Sequence, residues 1–469
     1  REHRAPAFLH LRTVRLGGHA GPDVESAYRS PAEIAADTTR DPLLGTARLL
    51  VEAGALTPAE ILDRYEAVRA RILAVAEALA GTAQLSSAEQ VMAPIAPRRP
   101  ATLAANLAAR SRQPATRPDQ PPAAESAGSA PLTLAQAINR TLADELARRP
   151  GMIVFGEDVG RKGGVYGVTR GLQRTFGAGR VFDSPLDEQS ILGVALGAGL
   201  AGLLPVPEIQ YLAYLHNAAD QLRGEAATLS FFSRAQYRNP MVVRVAALAY
   251  QQGFGGHFHN DNGLAALRDI PGLVVACPAR SDDAAAMLRS CLAAAEIDGS
   301  VSVFLEPIAL YHERDLYEPG DGDWLAGYEP PDRSGPAHVP LGRGRLYGTG
   351  TDLTIISFGN GVRMSLRAAR TLADDGLTSR VLDLRWLAPL PYEDVLRAAA
   401  ATGTVLVADE TRRTGGVSET VITTLVDAGF TGRIARVASQ DSFVPLGDAA
   451  DTVLLSEAGI EDAARDLFR

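Results

Sequence analysis

Proton transfer is the chemistry that the acids and histidines of this chain could perform. Glu188 follows Asp187 in the segment SPLDEQSILG, where a carboxylate can act as a base or can simply begin a helix, a position that the helix dipole favours for acids. His257 and His259 stand two residues apart in a glycine-containing stretch, and a histidine with a pKa near neutrality can shuttle protons. Tyr214 lies in an apolar run, where it can pack in the core or present its ring to a planar ligand.

Other kinds of site have no support in the sequence. The 8 histidines and 2 cysteines show no metal-ligand spacing, and neither a P-loop nor a nucleophile elbow is present. Gly320-Asp321-Gly322 has the form of the turn that binds metal and diphosphate in thiamine diphosphate enzymes. That motif needs an asparagine further along, however, and the next one, Asn360, is too distant. We therefore predict a surface turn at this position.

Composition excludes several functional classes. The chain has 469 residues, of which 46% are hydrophobic and 22% are charged, as in a soluble globular protein of about three domains. Its net charge of -9 argues against a nucleic-acid partner, which would require a basic face. Cys277 and Cys291 cannot form a disulfide framework, and they suit a reducing compartment, so we expect a cytoplasmic location.

One segment without charge could be mistaken for a membrane span. Residues Ile191 to Val206 are uncharged, but the run ends at Pro205 and Glu208 and is shorter than the roughly 20 residues that a spanning helix needs. Gly193 and Gly197 lie four residues apart, on one helical face that another backbone could approach. We predict a buried helix at a subunit interface and no membrane association.

Short apolar runs alternate with helical patterns from Leu132 onward. Such alternation is typical of parallel sheets covered by helices, which predicts an α/β fold. The first block of predicted strands begins at residues 152, 206, 241, 273 and 302, and the second block begins at 353, 380, 404 and 435.

The N-terminal part has a different pattern. The run AFLHLRTVRL predicts a strand, and Thr57 and Glu60 form a predicted capping box before an apolar stripe on a helix. Residues 91–130 hold 7 Pro and 12 Ala, which predicts a flexible linker. The predicted domains are therefore 1–90, the linker 91–130, 131–320, a connector over 321–340, and 341–469.

Several long motifs resemble one enzyme family. Residues 132–469 resemble the β subunit of the E1 component of 2-oxo acid dehydrogenases through GEDVGRKGGVYGVTRGL, FDSPLDEQSILGVALGAGLAG, EIQYLAYLHNAADQ, HFHNDNGLAALRDIPGL and ADETRRTGGVSE. Residues 1–80 resemble the C-terminal end of the matching α subunit, with RLGGHAGPDVESAYRS in place of its histidine loop. The branched-chain type is the most similar, through EIQY and AYRS. The order of the parts suggests a fused E1 component.

This resemblance implies a fold, a reaction and partners. The fold would be transketolase-like, with a pyrimidine-binding domain followed by a C-terminal α/β domain. The reaction would be decarboxylation of a 2-oxo acid on thiamine diphosphate, followed by acyl transfer to a lipoyl-bearing E2 acyltransferase. A homo-oligomer with the site at a subunit interface is expected. No metal ligand is assigned within this sequence, because the Mg²⁺ and diphosphate site is expected in a region upstream of Arg1.

The resemblance also assigns roles in the β-like part. Glu188 would hold a proton on the aminopyrimidine ring of the cofactor, a task that needs a buried carboxylate, and Asp187 would have no part in catalysis. Tyr214 would pack on that ring, and Glu157 would make a polar link near the cofactor. His259 would be the active-site histidine that serves acyl transfer, with His257 as its rival.

Further roles fall in the α-like part. His19 would lie by the diphosphate and the substrate, and Arg15 belongs to the residues that hold this loop in shape, together with Asp23, Tyr28 and Arg29. The regulatory serine that follows the histidine in the family is Ala20 here, so control by phosphorylation at that position is excluded.

Three alternative functions remain open. An acetoin-cleaving E1 component and a transketolase-type carboligase share the expected fold and cofactor. A non-catalytic assembly subunit would keep the fold and the interface without turnover. The sequence leaves the identity of the 2-oxo acid open.

Overall fold

A computed structural model describes residues 8–96, 99, 102–103, 105–106, 109, 130–250, 255–331 and 338–469. The chain forms two compact units, Arg1–Ser87 and Ala88–Arg469. The predicted domain boundaries at 90, 130, 320 and 340 stay a prediction.

The N-terminal unit is helical. Its helices are α1 (Pro31–Thr38), α2 (Pro42–Glu52) and α3 (Pro58–Leu79), each with a proline at its start. The predicted capping box of α3 is confirmed, because the Thr57 side chain accepts from the backbone N–H of Glu60 while the Glu60 carboxylate accepts from the backbone N–H of Thr57. The two bonds satisfy N–H groups that would otherwise lack partners at the first turn.

Two other features of this unit differ from expectation. The described residues of AFLHLRTVRL, 8–16, form no strand, so that prediction is wrong. A strand needs a partner to satisfy its backbone, and the described residues of this unit hold no other strand. The apolar stripe of α3 lies on the surface, with Tyr65 58% and Ile72 59% exposed.

The predicted linker, 91–130, lies mostly outside the described residues. Helix α4 (Ala88–Met92) includes its first two residues, and the carbonyl of Pro94 accepts from Oγ of Ser230 at 2.9 Å. Within it, Arg99 pairs with Asp298 through Nε and Oδ1 at 2.6 Å, and Leu103 is 5% exposed. These residues are therefore held against the rest of the second unit, and the prediction of flexibility is wrong for them, whereas it stays a prediction for the residues of the linker that lie outside the described ranges.

The first sheet has seven strands in the order β10-β5-β6-β4-β3-β1-β2, all parallel except β10. Its central strands are buried throughout, which explains why their sequences are mostly apolar. The bounds are β1 (Met152–Gly156), β2 (Val181–Asp183), β3 (Leu204–Ile209), β4 (Met241–Ala247), β5 (Val274–Ala276), β6 (Val301–Pro307) and β10 (Trp386–Ala388).

The second sheet has five strands in the order β12-β11-β8-β9-β7, all parallel except β7. The bounds are β7 (Arg345–Tyr347), β8 (Leu353–Ser357), β9 (Ser379–Asp383), β11 (Thr404–Arg412) and β12 (Arg433–Ser439). The α/β class with mostly parallel sheets is therefore confirmed. Strand β10 comes from the C-terminal segment yet completes the first sheet, and so joins the two blocks.

Helices connect and cover these strands. In chain order they are α5 (Leu134–Arg148), α6 (Leu172–Phe176), α7 (Glu188–Leu200), α8 (Leu212–Leu215), α9 (Ala227–Phe232), α10 (Ala265–Arg268), α11 (Ser281–Asp298), α12 (Asn360–Asp374), α13 (Tyr392–Thr402), α14 (Val417–Asp427) and α15 (Glu457–Asp466). Residues Gln221–Ala226 form a π-helix. The most buried is α11, which packs against α5 and the first sheet.

The uncharged run 191–206 forms most of α7 and the start of β3. Ile191, Leu192 and Ala195 are buried, whereas Val194 is 51% exposed. The helix is thus buried on one face only, and a Cβ added at Gly193 or Gly197 would meet no atom within 4 Å. Within the described part of the chain, no helix is both long and apolar enough to cross a membrane.

Candidate active site

The candidate residues of the second unit follow neighbouring strands of one sheet. Glu157 comes directly after β1, Glu188 follows β2, Tyr214 follows β3, and His259 follows β4. Because the carboxyl ends of parallel strands meet at the same edge of a sheet, these side chains converge there. This edge is the usual place for a site in an open α/β sheet.

Glu188 and Asp187 have different environments. The Asp187 side chain caps α7, since it accepts from the backbone N–H of Ser190 at 3.1 Å. The neighbouring Glu188 is the first residue of the helix, is 8% exposed, and accepts from Nδ2 of Asn217 at 3.3 Å. The helix-capping role therefore belongs to Asp187, which leaves Glu188 as the acid that is buried at the site.

The rings of Tyr214, Tyr211 and His259 pack together. The His259 ring stands edge-on to Tyr211 with centroids 5.0 Å apart, and its centroid lies 5.9 Å from that of Tyr214. Burial is the largest cause that raises the pKa of the Tyr214 hydroxyl. Electrostatic interactions with Tyr211, Glu157 and Glu188 raise it further. The aromatic cluster thus lies beside two carboxylates and keeps Tyr214 in its neutral form.

Glu157 belongs to the same acidic cluster. Burial raises the pKa of its carboxyl, and the negative charges of Asp158 and Glu188 raise it further, whereas Lys162 opposes the shift. Crowded carboxylates in a partly buried site favour a proton or a cationic group among them. This end of the sheet is therefore suited to a protonated or positively charged group.

The two rival histidines point to different neighbours. His257 packs on Phe443, with ring centroids 4.5 Å apart, and its Nδ1 is buried without a hydrogen-bond partner among the described residues. His259 packs on Tyr211 and Tyr214 instead, and burial lowers the pKa of its imidazole. Only His259 is grouped with the other candidate residues.

Four residues of the site were missed from the sequence, although three of the motifs quoted above contain them. Asn217 contacts Glu188, and His216 lies 3.0 Å from Asp261, which also accepts from Arg412 at 2.7 Å. The pairs are 29, 45 and 151 residues apart in the chain, and their residue types give no local signal of pairing.

His19 and Arg15 lie in the N-terminal unit, in an exposed loop. The backbone N–H of His19 donates to Asp23 at 2.6 Å, and the hydroxyl of Tyr28 donates to the same carboxylate at 3.3 Å. Arg29 forms ion pairs with Glu25 and Asp37. Side chains of this loop therefore bind one another and hold its shape.

The Gly-Asp-Gly turn has a structural role, as predicted. The Asp321 carboxylate is occupied by four backbone N–H groups, those of Leu316, Tyr317, Glu318 and Asp323. These bonds hold the pKa of the carboxyl well below its usual value, although desolvation opposes them. Asp315 accepts in the same way from Gly320 and Gly322. Within the described ranges, no group of three or more His, Cys, Asp or Glu could hold a metal ion.

Two family profiles match the second unit. The profile described as "Transketolase, pyrimidine binding domain" matches residues 130–312, and "Transketolase, C-terminal domain" matches residues 342–464. The two spans contain both sheets. The prediction of a transketolase-like α/β fold is therefore confirmed.

Individual proteins match over the same region. The protein named "Pyruvate dehydrogenase E1 component subunit beta" of Bacillus subtilis (strain 168) is 33% identical over 347 residues, covering 72% of this chain and 99% of that protein. A protein of the same name from Staphylococcus epidermidis is 34% identical over 344 residues, covering 72% and 98%. A solved structure titled "Split gene transketolase, inactive beta4 tetramer" aligns with a TM-score of 0.56 and 21% identity over 72% of this chain and 98% of that chain, a likeness of fold alone.

Proposed function

Because the chain belongs to the family of pyruvate dehydrogenase E1 component β subunits, we propose that it provides the proton-handling part of a thiamine diphosphate site. The activity would be the decarboxylating step of a cytoplasmic 2-oxo acid dehydrogenase, with acyl transfer to a lipoyl-bearing E2 partner. When bound, the cofactor supplies the carbon nucleophile that attacks the 2-oxo acid and takes up the electrons left by CO₂. The names of the relatives favour pyruvate over a branched-chain substrate.

The observation that carries the proposal is the placement of Glu188. Its carboxyl is 8% exposed, and among the described residues only Asn217 donates to it. A buried carboxylate with remaining acceptor capacity can hold a proton on a ring nitrogen through a charge-assisted hydrogen bond. The acidic surroundings, with the raised pKa of Glu157, suit a ring that carries such a proton.

The remaining side chains support the same chemistry. Tyr214 offers a neutral aromatic ring next to Glu188, which suits contact with a planar heterocycle. His259 is partly buried against two tyrosines and its pKa is lowered, so its imidazole stays neutral at pH 7 and can accept a proton during acyl transfer. We assign to His19 and Arg15 a place near the diphosphate and the substrate, in a loop whose shape Asp23 maintains.

The proposal is tested by Glu188→Gln, with Asp187→Asn as a matched control. Both variants exchange one carboxylate for an amide at neighbouring positions. In the assembled enzyme with thiamine diphosphate and Mg²⁺, Glu188→Gln should lower 2-oxo acid decarboxylation by about 10²- to 10⁴-fold, the size of a lost acid–base contribution. Asp187→Asn should keep the helix cap, since asparagine caps a helix about as well as aspartate, and should keep most of the rate.

Three results would contradict the proposal. Unchanged turnover of Glu188→Gln would remove this residue from the chemistry. Turnover of acetoin but not of 2-oxo acids, with lipoamide as the acceptor, would favour an acetoin-cleaving enzyme. No turnover by the wild-type assembly would favour a non-catalytic subunit.

A further inference from the structure

One buried carboxylate bridges three elements around His259. Asp261, two residues after His259, is 2% exposed. It lies 3.0 Å from Nε2 of His216 and accepts from Nη2 of Arg412 at 2.7 Å and from the backbone N–H of Gly263 at 3.1 Å. The bridge therefore joins the loop after β4, the segment after α8, and the end of β11.

The loop after β4 has further anchors on the C-terminal block. Arg412, the last residue of β11, also donates through Nε to the carbonyl of Ser442 at 3.0 Å, which fixes its guanidinium. Asn262 donates through Nδ2 to the carbonyl of Glu410 at 2.8 Å. Two consecutive residues, Asp261 and Asn262, thus bind the same strand end, and the position of the loop depends on that strand.

The segment after β3 contacts the candidate site through three side chains. The Tyr214 ring packs on His259, His216 lies 3.0 Å from Asp261, and Asn217 donates to Glu188. A shift of this short segment would move the surroundings of His259 and Glu188 together. The contact between His216 and Asp261 is the polar connection between this segment and the His259 loop.

The charges of the bridge stabilise one another. Burial raises the pKa of Asp261, but hydrogen bonds from His216 and Arg412 outweigh burial and lower it overall. The bond to Asp261 raises the pKa of His216, although burial and Arg412 oppose that shift. Among the described residues, Asp261 and Arg412 are the charged groups that face His216. An amide in place of Asp261 would leave Arg412 without its carboxylate partner and would remove the reason for His216 to hold a proton.

We propose that Asp261 is a positioning residue, which fixes the loop of His259 against Tyr214 by binding His216 on one side and Arg412 on the other. The assignment of His259 to acyl transfer rests on the proposed function, whereas the contacts of Asp261 with His216 and Arg412 do not. The role is one of geometry, since Asp261 is occupied by three partners and acts on the site through His259.

Histidine NMR on the full chain tests the bridge without turnover. With selectively labelled imidazoles, His216 should titrate above the ordinary histidine pKa in the wild type and lower in Asp261→Asn. The His259 resonance should shift in Asp261→Asn because its contact with the Tyr211 ring changes. Asp394→Asn is the matched control: Asp394 is a buried carboxylate that accepts from Arg343 and from the backbone N–H of Gly344, and its substitution should leave both histidine signals in place.

A second variant guards against misfolding. His216→Gln changes an exposed side chain and keeps the ion pair of Asp261 with Arg412, so the chain should fold, and the His259 resonance should again shift, by a smaller amount. In the assembled enzyme, Asp261→Asn should lower kcat by about tenfold or more and change KM by less than about threefold. A displaced His259 loses contacts that are made in the transition state, whereas substrate binding depends on it less.

The outcomes separate the two proposals. If Asp261→Asn shifts the histidine signals but the wild-type assembly shows no turnover, the bridge is retained and the proposed function is rejected. A His216 pKa that is the same in the wild type and in Asp261→Asn would overturn the bridge. So would a His259 resonance that Asp261→Asn leaves in place, whatever the enzyme catalyses.

Discussion

The Asn217 amide donates to the Glu188 carboxylate across 3.3 Å, and it is a neutral donor to a buried acid. A lysine or arginine at this position would bind the carboxylate as an ion pair and would compete with any cationic ring. An amide satisfies one oxygen and leaves the negative charge available. The pair therefore keeps a buried carboxylate in place without neutralising it.

Substitution of Asn217 should change activity more than stability. Its side chain is exposed, but it donates to a buried carboxylate, so Asn217→Ala should lower the free energy of unfolding by about 1 kcal/mol. Asn217→Asp should instead place a second carboxylate beside Glu188, which opposes ionisation of both groups. The acid limb of the pH profile of kcat/KM should then move upward by on the order of one pH unit.

The position of the acid limb is checked by pre-steady-state and pH-rate measurements on the assembled enzyme. Asn217→Ala is the control for the loss of the hydrogen bond alone, since it adds no charge. An acid limb at the wild-type position in Asn217→Asp would mean that residue 217 does not influence the ionised group that governs the rate.

Glu410 should make stability depend on pH. Its side chain is 1% exposed and accepts from the backbone N–H of Asn360 at 2.8 Å and from Nδ2 of the same residue at 2.7 Å. Burial nevertheless raises the pKa of the carboxyl to about 8. The folded state thus keeps a proton that the unfolded state loses at a lower pH. Stability from this group is complete below the unfolded pKa and is lost as the pH rises to about 8.

Glu410→Gln removes this dependence. A neutral amide carries no penalty at high pH, and rotation of the Asn360 amide can present its unpartnered Oδ1 to the new donor. The stability of Glu410→Gln relative to the wild type should therefore rise between pH 5 and pH 8 and level off above. Urea unfolding at several pH values checks this, with Glu393→Gln as an exposed control. A constant difference across that range would contradict the expectation.

Arg244 should be the most costly charge to remove from the core. It is 1% exposed and donates to both oxygens of Glu306, at 2.7 and 2.9 Å, and to Glu208 at 2.7 Å. Arg244→Met leaves two buried carboxylates without their cation, which should lower the free energy of unfolding by about 3–5 kcal/mol.

Arg343→Met is the matched control for Arg244→Met. Arg343 binds the carboxylate of Asp394, but its side chain is 46% exposed, so its loss should cost about 1 kcal/mol or less. The comparison is made by urea unfolding at pH 7. Equal losses for the two variants would show that water reaches the Arg244 cluster.

Much of the α/β core could be predicted from the sequence, because buried parallel strands are mostly apolar. The long strands lie where the apolar runs are, as at Met241–Ala247 and Val301–Pro307. The strands missed were β2, β7 and β10, each with three residues and each at the edge of a sheet. Such strands carry too short a pattern to be told from loops.

The site was foreseen less completely, for a related reason. Glu188, Tyr214 and His259 lie in long motifs that resemble known proteins. His216, Asp261 and Arg412 also lie in the quoted motifs, but their partnership exists only after distant segments have folded together. The same limit applies to α3. Its apolar stripe predicted a helix correctly, but the stripe did not indicate that these side chains lie on the surface.

Strand β10 has a consequence for how the second unit comes apart. It leaves the C-terminal block, pairs with β5, and supplies the last edge of the other sheet. Cutting the chain near residue 340 would therefore strip β5 of a neighbour and expose backbone groups that invite aggregation. Calorimetry on residues 130–469 should accordingly give a single melting transition, since the first sheet is incomplete without the strand that the C-terminal block supplies.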